Sequence, residues 1–519
     1  MRKLYLLFYL VVLPCLAAIS QPLSSVEIDR LAERTMKTFN VPGIAVLVVK
    51  DGAVVHSKGY GVSSIKTGKP VDENTLFGIA SNSKAFTAAT LAILVDEKKL
   101  SWDDKVIKYI PEFRLYNSYV TEDFTIRDLL THRSGLGLGA GDLMIWPDSA
   151  NFTINEIIYN LRFLKQVSPF RTKYDYDNLL YMVAGEVVTR VSGMSWESFV
   201  EQRIMKPLGM NRSAAQYSRL KDKTNVIMGH CEVDGKLQET GHSEMQIGQC
   251  SAGGIYSSIN DLSKWVMCQL NNGKYGVNSE KQLFSEAAQQ EMWSPQTIIP
   301  VGKNKYNSHF RAYGLGWDLT DLKGTKQVMH TGGLGGMVTQ VTLLPELKLG
   351  IVVLTNQEVG AAFSAISNAI KDGYLGFQPE DWVVKLDTLR IKSLKEDEKL
   401  SVKISAEIDK VIASGVQPDL KLYAGNYADN WLGKVSITER DGKLWFQADR
   451  SPKLNGTMYF YKGNTFVVKW TLREMKADAF VSFNLDAEGK AKGFTMKAVS
   501  PLTDFSFDFH DLDFRIVTD

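Results

Sequence analysis

The sequence predicts an α+β chain: an antiparallel sheet flanked by helices plus an all-helical region, followed by a small all-β antiparallel barrel. Three observations predict it. β-branched runs stand near residues 42–56 and again at 338–344 and 350–355, while the stretch between them reads mostly as helix. From Tyr423 onward apolar residues recur at nearly every second position, with glycine-containing turns between the runs. The chain has 519 residues, 44% hydrophobic and 23% charged, an ordinary globular composition with room for two or three domains.

The elements follow in chain order. Residues 1–20 carry basic Arg2 and Lys3, an apolar run over 4–18 and small residues at Ala18 and Ser20. This pattern predicts a signal peptide cleaved before Gln21 and an exported protein, periplasmic or secreted. The run is short for the roughly 20 residues a spanning helix needs, Pro14 interrupts it, and no other stretch is as apolar, so no stable membrane insertion is expected after cleavage. From Pro42, two β-branched runs joined by Asp51-Gly52 predict a tight hairpin. Ala85, Phe86, Ala88, Ala89, Leu91, Ala92, Ile93 and Val95 then follow three-to-four spacing, which predicts a buried helix. Further helices are predicted over 125–131, 179–191 and 196–205, the last ending at Pro207 and Gly209. The strands at 338–344 and 350–355 would complete the sheet of a first domain, residues 21–378, from distant segments. Residues 379–415, rich in Lys and Glu, read as a partly helical linker. Residues 416–519 read as the barrel, with turns at Asp441-Gly442, Lys462-Gly463 and Glu488-Gly489.

Charge and cysteine content exclude several functions. Without Arg2 and Lys3, the 60 Lys plus Arg fall to 58, equal to the 58 Asp plus Glu, which gives no electrostatic case for nucleic acid. Past the leader, Cys231, Cys250 and Cys268 are an odd, sparse set that cannot make a disulfide scaffold. His230, Cys231, His242 and Cys250 lack zinc-site spacing, because adjacent residues diverge in extended chain and no Cys-x-x-Cys is present, so no metal is expected. The glycine run 135–140 follows a helix signal where a dinucleotide site needs a strand, and no cofactor is expected.

Chemistry concentrates in three places. Ser81 and Lys84 stand three residues apart at the start of the buried helix and share a face, where a hydroxyl near backbone N–H groups can develop negative charge beside an amine able to take its proton. The same spacing recurs at Ser63/Lys66 and Ser218/Lys221 in polar, turn-like surroundings without that context. Tyr176 and Asn178, two apart in an extended segment, project to one side, although alone they also read as an aromatic staple with a helix cap. His330-Thr331-Gly332-Gly333 leads into a strand, and alone reads as a glycine-rich turn with an incidental His. His132, beside Arg133 and Ser134, reads as a cap or core buttress.

In this order, the three elements resemble the family of class C β-lactamases, D-alanyl-D-alanine carboxypeptidases, D-aminopeptidases and related esterases. The resemblance extends to Leu129-Leu-Thr-His132-Arg-Ser-Gly-Leu136, Lys206-Pro-Leu-Gly-Met210, Ala252-Gly-Gly254 and Pro345-Glu346 with Gly350-Ile-Val-Val-Leu-Thr-Asn356, covering residues 25–375. The C-terminal pattern is similar to the lipocalin-like appendage of some of these enzymes. The resemblance implies that Ser81 is acylated, that Lys84 is its proton partner, that Tyr176 carries a proton to the leaving group and that Asn178 bonds Lys84 and substrate. Whether Lys84 or Tyr176 is the base stays open. Ser81, Thr331, Gly332 and Gly333 are the implied substrate and oxyanion contacts, with the N–H groups of Ser81 and Gly333 forming the oxyanion hole. His330 stands where the lactamase form of the motif has Lys; an imidazole holds a carboxylate less firmly, which favours a small peptide, amide or ester substrate over a β-lactam. The implied activity is an exported serine hydrolase, foremost a peptidase of the D-aminopeptidase or D,D-carboxypeptidase kind. An esterase and a weak class C-type β-lactamase are the enzyme alternatives, and a penicillin-binding sensor that stays acylated is the non-enzyme one. A homo-oligomer is compatible with the sequence.

Overall fold

A computed structural model of the chain describes residues 21–246, 248–415 and 418–517. The expected signal segment, residues 1–20, lies outside the described residues. Among the described residues no helix is long and apolar enough to cross a membrane. Cys231, Cys250 and Cys268 are free and buried.

Helix α1 (Ser25–Phe39) opens with a capping box: Ser24 Oγ accepts from the Glu27 N–H and the Glu27 carboxylate accepts from the Ser24 N–H. Strands β1 (Gly43–Lys50) and β2 (Ala53–Gly61) form the expected hairpin, with Asp51 at φ 51° and Gly52 at φ 78° supplying the positive dihedrals of its two-residue turn. Strands β3 (Thr297–Ile298), β4 (Arg311–Tyr313), β5 (Asp318–Leu322), β6 (Thr325–Leu334), β7 (Met337–Leu344) and β8 (Leu349–Thr355) complete an eight-stranded sheet in the order β2-β1-β8-β7-β6-β5-β4-β3, antiparallel throughout. The hairpin joins the distant half where Ile44 pairs with Thr355.

β1 is apolar at nearly every position because both faces of the sheet are covered. Ile44, Val46, Val48, Ile351 and Val353 pack into the cluster that contains Ile28, Ala32, Ala365 and Ile366. Ala45, Leu47, Val49, Val352 and Leu354 face the larger core, which contains helices α2 (Ser83–Asp96), α3 (Leu179–Ser192) and α4 (Ile259–Leu270). Two further long helices are α5 (Gly360–Leu375), on the first face, and α6 (Trp382–Ser414).

The linker expected to be partly helical, 379–415, is helical over most of its length: α6 is one continuous helix of 33 residues, about 50 Å long at 1.5 Å per residue. Its solvated Lys/Glu sequence hides a role as a strut, with Trp382 and Val383 buried beside α1 and α5 and Ile404 and Ile408 buried against Val467. The helix at 196–205 changes pitch, from α over Trp196–Val200 to π over Glu201–Met205, and Pro207 sits inside a further turn, Lys206–Leu208, so that Gly209 at φ 72° ends the run alone. The 125–131 signal yields only Ile126–Leu129.

The C-terminal strands β9 (Gly425–Asp429), β10 (Gly433–Arg440), β11 (Lys443–Ala448), β12 (Asn455–Lys462), β13 (Thr465–Trp470), β14 (Ala479–Leu485), β15 (Ala491–Ala498) and β16 (Asp513–Ile516) close into a barrel, β9 pairing with β16. Phe446, Phe466, Phe483, Phe494 and Phe514 pack ring on ring and fill its interior; the closest pair, Phe494 and Phe514, is 4.5 Å apart. The segment between β15 and β16 leaves the barrel and reaches the first domain.

Candidate active site

A short strand, Phe77–Gly78, runs into a 3₁₀ turn over Ala80–Asn82 that feeds α2. Ala80 takes a left-handed φ of 50°, a conformation that costs a non-glycine residue on the order of 1 kcal/mol. This bend leaves Ser81 half-buried at a cleft and Lys84, one turn on, fully buried. α2 is apolar on almost every side, so the Lys84 amine has little water around it. β6 crosses the bend closely enough that a Cβ on Gly332 would lie 2.3 Å from the Ile79 carbonyl oxygen, and only glycine permits that approach.

Lys84 Nζ lies 3.1 Å from Ser81 Oγ, 2.7 Å from Asn178 Oδ1 and 2.8 Å from the Ala252 carbonyl oxygen. Burial pulls its pKa down to about 7, against the opposing pull of Asp142 and Asp177. Asn178, just before α3, is oriented by Asp142: Asn178 Nδ2 donates to Asp142 Oδ2 at 2.7 Å, which leaves Oδ1 for Lys84. Asp177 Oδ1 accepts from the Leu180 N–H.

The Tyr176 hydroxyl is buried and has no hydrogen-bond partner within ordinary distance among the described residues. Burial pushes its pKa well above the usual value, with the nearby Ser81 opposing the rise. Its ring lies 4.1 Å from His132, 6.2 Å from His330 and 5.6 Å from Phe505 of the C-terminal domain, with Lys84 Nζ 4.8 Å from the ring centre. His132 is the buttress the sequence suggested: its Nδ1 accepts from the Asp177 N–H at 3.0 Å, and burial holds its pKa well below the usual value.

His330 is buried on β6. Its Nδ1 lies 2.6 Å from the Thr331 carbonyl oxygen, which can only accept, so Nδ1 carries the proton and Nε2 accepts from the Tyr313 hydroxyl at 2.8 Å. Burial, reinforced by Lys84, lowers its pKa to about 3. The imidazole is therefore neutral at pH 7, where the unperturbed side chain would be partly charged.

Ser81, Tyr176, Asn178, His330, Thr331 and Gly333 line one cleft of about 990 Å³, and Lys84 lies beneath it. Gly332 packs against the Ile79–Ala80 bend instead. Elsewhere, Lys66 pairs with Glu239, and His230 Nδ1 bonds the Asn356 carbonyl. Sequence reasoning missed Asp142, Tyr313 and the Ala252 carbonyl, as well as Phe505, which brings the C-terminal domain to the cleft. Ala252-Gly-Gly254 carried a signal as a motif; Asp142 and Tyr313 carried none, because their partners are distant in sequence.

A family model described as "Beta-lactamase" matches residues 28–372. The chain belongs to that family. A second model, a domain of unknown function (DUF3471), matches residues 415–515, the barrel. Among the relatives, "Unguisins hydrolase ungD" of Aspergillus violaceofuscus (strain CBS 115571) is 28% identical over 82% of this chain and 78% of its own length. "Protein flp" of Staphylococcus aureus (strain NCTC 8325 / PS 47) is 26% identical over 64% of this chain and 63% of its own. The solved octameric penicillin-binding protein homologue from Pyrococcus abyssi superposes with a TM-score of 0.61 at 24% identity, covering 93% of this chain and 99% of that one, and so shares the fold. The protein is a serine hydrolase of the β-lactamase family.

Proposed function

We propose that the protein is exported and hydrolyses amide or ester bonds, foremost in peptides, through an acyl-enzyme on Ser81. One observation carries the reading. Asn178 Oδ1 and the Ala252 carbonyl can only accept hydrogen bonds, so a neutral Lys84 spends both N–H groups on them and turns its lone pair toward Ser81 Oγ, 3.1 Å away. With a pKa near 7, much of Lys84 is neutral at pH 7.

Lys84 takes the Ser81 proton as Oγ bonds to the substrate carbonyl carbon. The N–H groups of Ser81 and Gly333 hold the oxyanion. Tyr176, protonated throughout the neutral range, gives its proton to the departing nitrogen or oxygen and is reprotonated from Lys84. Water then attacks the acyl ester, its proton passes to Lys84, and Ser81 leaves with a proton. This assigns Lys84 as base and Tyr176 as acid. Neutral His330 offers no charge to a substrate carboxylate, which favours amides and esters over β-lactams. A relative named as a hydrolase and a cleft of about 990 Å³, roomy enough for a short peptide, support this reading.

The test is a panel of chromogenic amides, esters and a cephalosporin, run beside Ser81→Ala with mass analysis of the trapped adduct. Ser81→Ala is expected to lose hydrolysis by about a thousandfold or more and to lose the adduct. Hydrolysis surviving in that variant would falsify the mechanism.

A further inference from the structure

Resting on that reading, we propose that Asp142 is a positioning residue that fixes the Asn178 amide, and through it the Lys84 lone pair. We propose further that the C-terminal domain secures Asp142 by bonding the backbone of Gly141.

The Asn178 amide can sit in two orientations differing by a half-turn. In the one present, Oδ1 faces Lys84 at 2.7 Å and Nδ2 faces Asp142 Oδ2 at 2.7 Å. In the other, Nδ2 would face Lys84, and a neutral amine would spend its lone pair accepting from the amide instead of from Ser81. Asp142 is what discriminates them. Its carboxyl is fully buried, which pushes its pKa well above the usual value, and a proton held there sits on Oδ1 because Oδ2 accepts from Nδ2; Oδ2 would therefore meet Oδ1 of a flipped amide with no proton between them.

Asp142 is in turn held from outside its domain. Gly141, at φ 76°, donates its N–H to Asp508 Oδ2 at 2.6 Å, and Asp508 is fully buried. At Gly139 the same segment presses so closely that a Cβ would stand 2.4 Å from the Phe505 carbonyl oxygen. The charged and titratable groups around this chain are Asp177 and Lys84 beside Asp142, and Asp511 and His510 beside Asp508. The order of action is therefore Asp508, Gly141, Asp142, Asn178, Lys84, Ser81. The barrel thus reaches the reacting hydroxyl's base through three hydrogen bonds, in addition to walling the cleft.

The experiment measures kcat and KM on a small chromogenic ester for the full chain and for Asp142→Ala, Asp142→Leu, Asp142→Asn, Asn178→Ala, the Asp142→Ala/Asn178→Ala double variant and Asp508→Ala. Melting temperatures confirm that each is folded, and Leu, an apolar side chain of similar volume, covers the case in which Ala is not. Ser81 labelling by a fluorophosphonate in the unmodified protein checks the underlying reading. Asp142→Ala or Asp142→Leu is expected to lower kcat at least tenfold with KM within twofold. Asp142→Asn, which keeps an acceptor oxygen, should restore kcat to within about threefold, and Asp508→Ala should lower kcat in the same direction. The double variant should be no slower than Asn178→Ala, because Asp142 acts through that amide. With Ser81 labelled normally, a kcat within twofold in the Ala or Leu variant, a loss confined to KM, failure of Asn to restore the rate, or additive losses in the double variant overturns this inference alone. Asp508→Ala at full kcat overturns its second half. No label on Ser81 in the unmodified protein overturns the proposed function and this inference with it.

Discussion

At the scale of single residues, the proposed role of Lys84 as base predicts the pH behaviour. Its folded pKa of about 7 lies below the ordinary lysine value, and in the proposed mechanism the reactive form is the neutral amine. As pH rises through 7 the amine loses its proton, so kcat/KM for an ester without titrating groups is expected to climb with a midpoint near 7 and then level off. His330, at about 3, adds no limb in that range, and Tyr176 stays protonated well past it. A rate that falls between pH 7 and 9 in a stable protein contradicts Lys84 as base. Tyr313→Phe gives a second residue-level check: it leaves His330 Nε2 buried without a donor, a loss of about 1–3 kcal/mol in urea unfolding. Unchanged stability there would mean that the bond between Tyr313 and His330 contributes nothing to the fold. The pair Ser81 and Lys84 was legible because a helix brings residues three apart onto one face. Asp142 and Tyr313 were not, since each acquires its meaning only from the partner that folding delivers, Asn178 in one case and His330 in the other.

Among the elements, β6 is read most sharply by its two adjacent glycines. Gly332 abuts the Ile79 carbonyl, whereas a Cβ on Gly333 would point into open space. Gly332→Ala is therefore expected to push the strand away from the Ser81 bend, costing about 2 kcal/mol or more in stability together with most of the activity, while Gly333→Ala should unfold at the denaturant concentration of the unmodified protein. Denaturant melts of the two variants check this, and equal midpoints would show that the bend yields freely. The hairpin at Asp51-Gly52 and the barrel strands were legible because turn chemistry and alternation are local. The helix Trp382–Ser414 was only half legible. Its surface is charged and solvated along most of its length, and the four residues it buries, Trp382, Val383, Ile404 and Ile408, lie near its two ends, so no continuous apolar stripe marks it.

For the whole molecule, the contacts between catalytic domain and barrel decide whether the chain unfolds as one unit or two. Domains joined by a small polar interface melt separately, whereas those sharing buried groups lose stability together. Here Gly141 bonds buried Asp508, the Asn160 side-chain amide donates to the Trp431 carbonyl at 2.9 Å, and the Asn151 N–H donates to the Arg450 carbonyl at 2.9 Å. Arg450 pairs with Glu156 and Lys453 with Asp148 at the rim, where ion pairs add little by themselves. Pulling the barrel away would break the bond between Gly141 and Asp508 and uncover the Tyr176 ring where Phe505 packs on it, so separation itself costs free energy. α6 adds a mechanical tie, buried at one end in the first domain and at the other against the barrel. The full chain is accordingly expected to give a single calorimetric transition that coincides with loss of activity, and Asp508→Ala to split or broaden it. Two well-separated transitions in the unmodified protein, with activity persisting through the first, would show that the barrel is a tethered neighbour and that the bond to Gly141 carries no stability.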